Sequence, residues 1–112
     1  DLEDGGPWPL GARRFDGIIV TNYLHRPLFP RLIAALADGG VLLYETFAVG
    51  NEAYGKPSNP GFLLKDGELL AAFSEDLRVV AYEAGYVERP APAVLQRISA
   101  VRAAEGPIPL PG

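Results

Sequence analysis

Two short apolar runs constrain this chain more than any other feature. Phe15 to Asn22 reads FDGIIVTN and Val41 to Phe47 reads VLLYETF. Each is too short for a helix of its own and too continuously apolar to present one face to water, which is the pattern of a strand covered on both faces. Between them, PLFPRLIAALADGG spaces Leu28, Phe29, Leu32, Ile33 and Leu36 at helical intervals, giving one apolar stripe to lay on a sheet. Pro27 and Pro30 suit the first turn of that helix, where a missing N–H costs nothing, and Gly39 or Gly40 is expected to end it. Strand, helix and strand within about thirty residues form a βαβ unit. Its crossover is right-handed in nearly all cases, so the two strands are predicted to run parallel.

The flanking segments complete the plan. Asp1 to Arg14 reads as loop, punctuated by Gly5-Gly6-Pro7 and Pro9. Ala48 to Lys65 is a second, longer loop rich in Gly, Asn and Pro, and so long a connection in a compact domain is usually functional. Asp66 to Phe73 predicts a short helix with Leu69, Leu70 and Phe73 on one side. Leu77 to Tyr86 and Ala93 to Ala103 read as strands. The connection between them carries Pro90 and Pro92, which favours an antiparallel hairpin over another crossover. The tail from Glu105 to Gly112 is Pro-rich and expected to be loose.

Composition excludes several classes. Of 112 residues, ten are Lys or Arg and the net charge is −4. The only adjacent basic pair is Arg13-Arg14, so the clustered cations that neutralise phosphates are missing and nucleic acid is not an expected partner. There is no cysteine, hence no disulfide framework and no thiolate metal site. One histidine and scattered carboxylates offer no metal-ligand spacing, and no serine stands at a strand-to-helix elbow. No apolar run reaches the ~20 residues that span a bilayer, so no membrane association is expected and a cytoplasmic location is the natural expectation. The chain has no methionine and begins at Asp1, which predicts that a preceding part of the protein is missing from it.

In open α/β sheets ligands sit in the crevice beyond the carboxyl ends of the parallel strands. Here those ends are Thr21-Asn22-Tyr23 and Glu45-Thr46-Phe47. His25 follows the first strand closely, and the long Gly/Asn/Pro loop leaves the second strand on the same side, where it is placed to act as a lid. Each of these residues has a structural and a functional reading. Asn22 either closes a turn or contacts a ligand. His25 is either a helix-start residue satisfied by backbone or a general base near neutrality. Tyr23 is either packing, with its hydroxyl as a polar handle, or a residue of the site. Glu45, near the end of a buried strand, needs a partner, for which Arg26 or a backbone N–H is the structural candidate.

The succession of a buried strand ending TNYLHRP, a helix, the strand GGVLLYETF, a loop, a helix and a terminal antiparallel hairpin resembles the C-terminal portion of a class I S-adenosylmethionine-dependent methyltransferase. The resemblance implies an α/β fold, a partial Rossmann-like three-layer sandwich of parallel strands with a terminal antiparallel hairpin, over residues 1–104, with residues 105–112 as a tail. It implies S-adenosylmethionine as cofactor and methyl transfer to an acceptor, expected to be a small molecule. Asp1-Leu2 matches the acidic step that meets the adenine, Asn22 would also line the cofactor, and Tyr23 and His25 would face the acceptor as catalytic residues. The glycine-rich loop and the ribose-binding acid of the family have no counterpart here, so the chain alone is expected to be inactive. Asn59-Pro60-Gly61-Phe62 is similar to the Asn-Pro-Pro-aromatic motif of amino-methylating enzymes, but follows the wrong strand and lacks the second proline. The alternative expectation is a truncated, non-catalytic interaction module that self-associates through an unpaired strand edge. A nicotinamide-dependent Rossmann-like enzyme is a third, which the terminal hairpin disfavours.

Overall fold

The computed structural model of the chain describes residues 14–103. In chain order these form β1 (Phe15–Thr21), α1 (Leu28–Ala35), β2 (Leu36–Phe47), α2 (Glu68–Phe73), β3 (Arg78–Val87) and β4 (Ala93–Val101), with single 3-10 turns at Asn51–Ala53 and Pro60–Phe62. The expectations for Asp1, Leu2 and the tail from Glu105 lie outside the described residues.

The predicted βαβ unit is present. β1 and β2 run parallel, with Ile18 opposite Leu42, Val20 opposite Tyr44 and Thr21 opposite Glu45. β3 and β4 form the expected antiparallel hairpin, paired from Arg78 and Val101 to Val87 and Ala93. β4 does not stay outside β3 but enters the sheet against β2, also antiparallel, so the order is β1-β2-β4-β3.

Strand alternation sorts the side chains onto two faces. Leu42 and Tyr44 from β2, Ile98 and Ala100 from β4, and Ile18 and Val20 from β1 point to the face covered by the helices. There they meet Leu28, Phe29 and Leu32 of α1 and Leu69 and Phe73 of α2. The rings of Phe29, Tyr44 and Phe73 form the centre of this core, with centroids 5.2–6.1 Å apart. Edge and tilted contacts of that kind add to the ~1.5–3 kcal/mol that burying each such side chain contributes. The Tyr44 hydroxyl donates to the Tyr23 carbonyl at 2.6 Å, and burial pushes its pKa well above the usual phenol value. The buried Tyr82 hydroxyl, by contrast, has no hydrogen-bond partner.

The opposite face is bare. Ile19 is 72% exposed and Leu43 42% exposed, and with Ala81 and Ser99 they border a shallow depression of about 320 Å³ over the middle of the sheet. Two of the three layers of a Rossmann-like sandwich are therefore present among the described residues. The apolar run of β1 reads as covered on both faces, yet one face and one edge of that strand have no neighbour among the described residues.

One boundary differs from the sequence expectation. α1 ends at Ala35 rather than near Gly39, because Leu36 turns to extended backbone (ψ 132°) and is fully buried. β2 consequently begins at Leu36, and the Asp38-Gly39-Gly40 stretch makes a kink inside the strand instead of closing the helix. Gly39 adopts a positive φ of 81°, and a Cβ on Gly40 would stand 2.8 Å from the carbonyl oxygens of Phe15 and Ala37. Apolar burial of Leu36 outweighs the stop signal of the glycines, which serve the close approach of β1 instead. At the other end, α1 has no side-chain cap. Its first N–H groups, Leu28 and Phe29, donate to the carbonyls of His25 and Arg26 at 2.9 and 3.0 Å.

Candidate functional site

The parallel pair delivers its carboxyl ends to one rim. Directly after β1, Asn22 has φ 56°, left-handed backbone that a non-glycine residue adopts at a cost and that asparagine tolerates best. Its N–H donates to the Glu45 carbonyl at 2.9 Å. The last rung of the β1–β2 ladder thus fixes the bend that turns Tyr23 and His25 away from the strand axis. Such strain at a strand end is typical of functional rims.

Two cavities open at this rim and share Asn22 and Phe47. One, of about 310 Å³, is bordered by Asn22, Tyr23, Leu24, Thr46, Phe47, Pro57 and Phe62. The other, of about 350 Å³, continues past Asn22, Glu45 and Phe47 to Tyr54 and Lys56 in the loop and to Pro90 and Pro92 in the hairpin connection. Of the residues singled out from sequence, Asn22 and Tyr23 both line the first cavity. His25 is half-buried beside it, its ring 6.4 Å from that of Tyr23 and tilted by 37°, and does not border either cavity.

The loop after β2 forms one wall and is held at three points. Val49 donates to the Leu64 carbonyl and Leu64 to the Phe47 carbonyl, at 2.9 and 3.0 Å, so the loop closes on its own base. Asn51, buried, donates through Nδ2 to the Pro57 carbonyl at 3.0 Å and accepts from the Val94 N–H at 3.1 Å. The rings of Tyr54 and Tyr86 stand 5.1 Å apart and tie the loop to β3. The Asn59-Pro60-Gly61-Phe62 segment has a local role, because Asn59 Oδ1 accepts from the Gly61 N–H at 2.8 Å and caps the second 3-10 turn.

Arg26 is the hub on the other side. Its guanidinium donates to both oxygens of Glu68, Nε to Oε2 at 2.6 Å and Nη2 to Oε1 at 2.9 Å, and to the carbonyls of Gly61 and Leu63 at 3.2 and 3.1 Å. Burial pulls the Glu68 carboxyl upward. The hydrogen bonds from Arg26 and the Lys65 N–H, together with the Arg26 charge, outweigh it and leave the pKa below the usual carboxylate value. The same hydrogen bond raises the Arg26 pKa against its own desolvation. One residue past His25 therefore clamps the end of the loop and the start of α2.

Glu45 does not use Arg26. It lies on the open face and pairs with Arg97 of β4 at 3.0 Å, and Arg97 also reaches Glu83 at 3.6 Å. The reason is register: Glu45 and Arg97 are direct cross-strand partners, whereas Arg26 leaves β1 toward the helical layer. The sequence reading also passed over Gln96. Its buried amide donates to the Lys65 carbonyl at 2.7 Å and accepts from the Leu69 N–H at 3.2 Å, joining β4 to the first turn of α2. The signal was available, since in AVLQRISAV Gln96 shares its alternation with Val94, Ile98 and Ala100 and so falls on the buried face.

No family model matches the sequence, and no curated protein matches it. Solved structures do. The chain is similar to TehB from Haemophilus influenzae, with a TM-score of 0.64 and 15% identity over 80% of this chain and 36% of that one. The N-methyltransferase NodS from Bradyrhizobium japonicum gives 0.60 and 17%, over 83% and 53%. A SAM-dependent methyltransferase from Methanosarcina mazei gives 0.62 and 12%, over 88% and 64%. At these identities the likeness is one of fold: the partial Rossmann-like α/β fold is shared with these solved structures, methyltransferases among them. The chain spans 36–64% of the length of these three proteins.

Proposed function

We propose that the chain is the C-terminal portion of a methyltransferase domain that transfers a methyl group from S-adenosylmethionine to a small-molecule acceptor. One observation carries this reading. In a fold shared with methyltransferases, the parallel β1–β2 pair ends on a strained Asn22 at a crevice walled by a tethered loop and the hairpin connection. The cofactor supplies an activated methyl group, and the protein's task is to align the acceptor and exclude water. Few catalytic side chains are needed for that, in keeping with a rim where aromatic rings and prolines stand beside Asn22, Glu45, Thr46, Asn51 and Lys56.

The residues present fit one wall of such a cofactor site. Asn22 would border the cofactor, and Asp1 and Leu2 would meet its adenine end. Tyr23 would position the acceptor, with His25 beside it to take a proton. The bare face of the sheet, bearing Ile19 and Leu43, would be covered by the part of the domain that carries the glycine-rich loop. Calorimetric titration of the completed domain with S-adenosylhomocysteine tests the reading: heat and thermal stabilisation are expected, and their absence overturns it.

A second reading is favoured by a separate observation. The outer edge of β1, unpaired among the described residues, and the exposure of Ile19 suit a non-catalytic module that associates with another copy through this strand. The coding sequence upstream of Asp1 separates the two: a strand followed by a glycine-rich loop supports the enzyme, and an in-frame stop supports the module.

A further inference from the structure

The chemistry of the two rim cavities says what kind of ligand they take. They meet at Phe47, and their outer walls are flat and stiff, made by Phe62 and Pro57 on one side and Tyr54, Pro90 and Pro92 on the other. Phe62 and Tyr54 are each about half exposed, although both belong to a loop pinned at its base. Tyr54 is held in place from behind by Tyr86 at 5.1 Å. Large rings kept open to solvent on a tethered frame mark a surface waiting for a partner rather than an unfinished core.

Two polar groups of the same walls are committed. The Asn51 amide is used by Pro57 and Val94, and the Glu45 carboxylate by Arg97. A cationic amine would find its one carboxylate already paired. We propose that this groove binds a planar aromatic small molecule, its ring lying against Phe47 between Phe62 and Tyr54. The inference rests on the methyl-transfer reading only in taking the groove as the acceptor's place.

The test is a titration of the full chain, followed by amide NMR shifts, with 2-naphthol and with its saturated counterpart decahydro-2-naphthol. The aromatic alcohol is expected to bind about tenfold more tightly and to shift the amides of Phe47, Tyr54 and Phe62. Tyr54→Leu and Phe62→Leu should each weaken it about three- to tenfold. Tyr54→Phe, which keeps the ring, and Ile19→Ser on the bare sheet face should leave it within about twofold of the parent. Equal binding of the two alcohols overturns the proposal, as does a loss that follows Ile19→Ser instead of Tyr54→Leu. Naphthol selectivity in a completed domain that ignores S-adenosylhomocysteine sinks the methyl-transfer reading and leaves this site standing. Binding of S-adenosylhomocysteine without ring selectivity sinks this site alone.

Discussion

Replacing Arg26 by Met should do more damage than a surface ion pair normally allows. Arg26 and Glu68 side chains are 38% and 17% exposed, and the pair is joined by two hydrogen bonds at 2.6 and 2.9 Å. Fully exposed pairs couple by about 0.2–1 kcal/mol, and hydrogen bonds to charged groups are worth about 1.5–3 kcal/mol. Screening of the more exposed Arg26 brings the expected coupling in a double-mutant cycle with Glu68→Gln to about 1.5 kcal/mol. Arg26→Met also takes the donor from the part-buried Leu63 carbonyl, so its own cost should reach about 2 kcal/mol, or a fall in Tm of about 10 °C for a domain of this size. Urea unfolding of the four cycle members at neutral pH measures both quantities. The pH dependence follows from the depressed Glu68 pKa. The stabilisation is complete above the unfolded carboxylate value of about 4.3 and is lost as pH falls through the lower folded value, where Glu68 takes up its proton. A coupling below about 0.3 kcal/mol at neutral pH, or one that grows as the pH drops, refutes the reasoning.

Three further outcomes follow from the same structure. Tyr44→Phe removes the 2.6 Å bond to the Tyr23 carbonyl and should cost about 1–2 kcal/mol, whereas Tyr82→Phe deletes a hydroxyl without a partner and should be neutral or stabilising. Urea midpoints of the two variants settle the contrast, and equal losses contradict it. Gln96→Leu leaves the Leu69 N–H unpartnered, while the Lys65 carbonyl keeps the Glu68 N–H at 3.0 Å, which should cost about 1–3 kcal/mol. It should also speed hydrogen exchange at Leu69 well beyond that at Leu42, and an unchanged Leu69 rate counts against the tether. Ile19→Lys puts a charge on the bare face and should shift the chain toward monomer in sedimentation equilibrium, while an unchanged mass distribution means that this face does not carry the association.

What could be read from sequence was what rests on periodicity. The parallel β1–β2 pair, the apolar stripe of α1 and the terminal hairpin all follow from spacing and from Pro90 and Pro92, and the strand ends that form the rim come with them. The boundary of α1 escaped because two signals competed at Leu36. Helical spacing and the downstream glycines extended the helix, and full burial of Leu36 in an extended conformation ended it. Arg97 is not among the partners that sequence suggests for Glu45, because partners across a sheet depend on which strand lies next door, and that β4 inserts beside β2 is a matter of topology rather than local pattern. Asn51 and Gln96 were passed over for the opposite reason. Each is a single amide in an otherwise ordinary segment, and only the three-dimensional meeting of loop, strand and helix shows that it is buried and doubly bonded.

The insertion of β4 between β2 and β3 has a consequence for how the molecule is made. Of the four strands it is the last to leave the ribosome, yet it occupies an interior slot. Until it arrives, no strand bridges β2 and β3, α2 lacks Gln96 and the loop lacks its hold on Val94. Assembly of the sheet therefore waits for the end of the described chain. A nascent polypeptide stalled before Ala93 would display two separate sticky edges rather than a nearly finished domain.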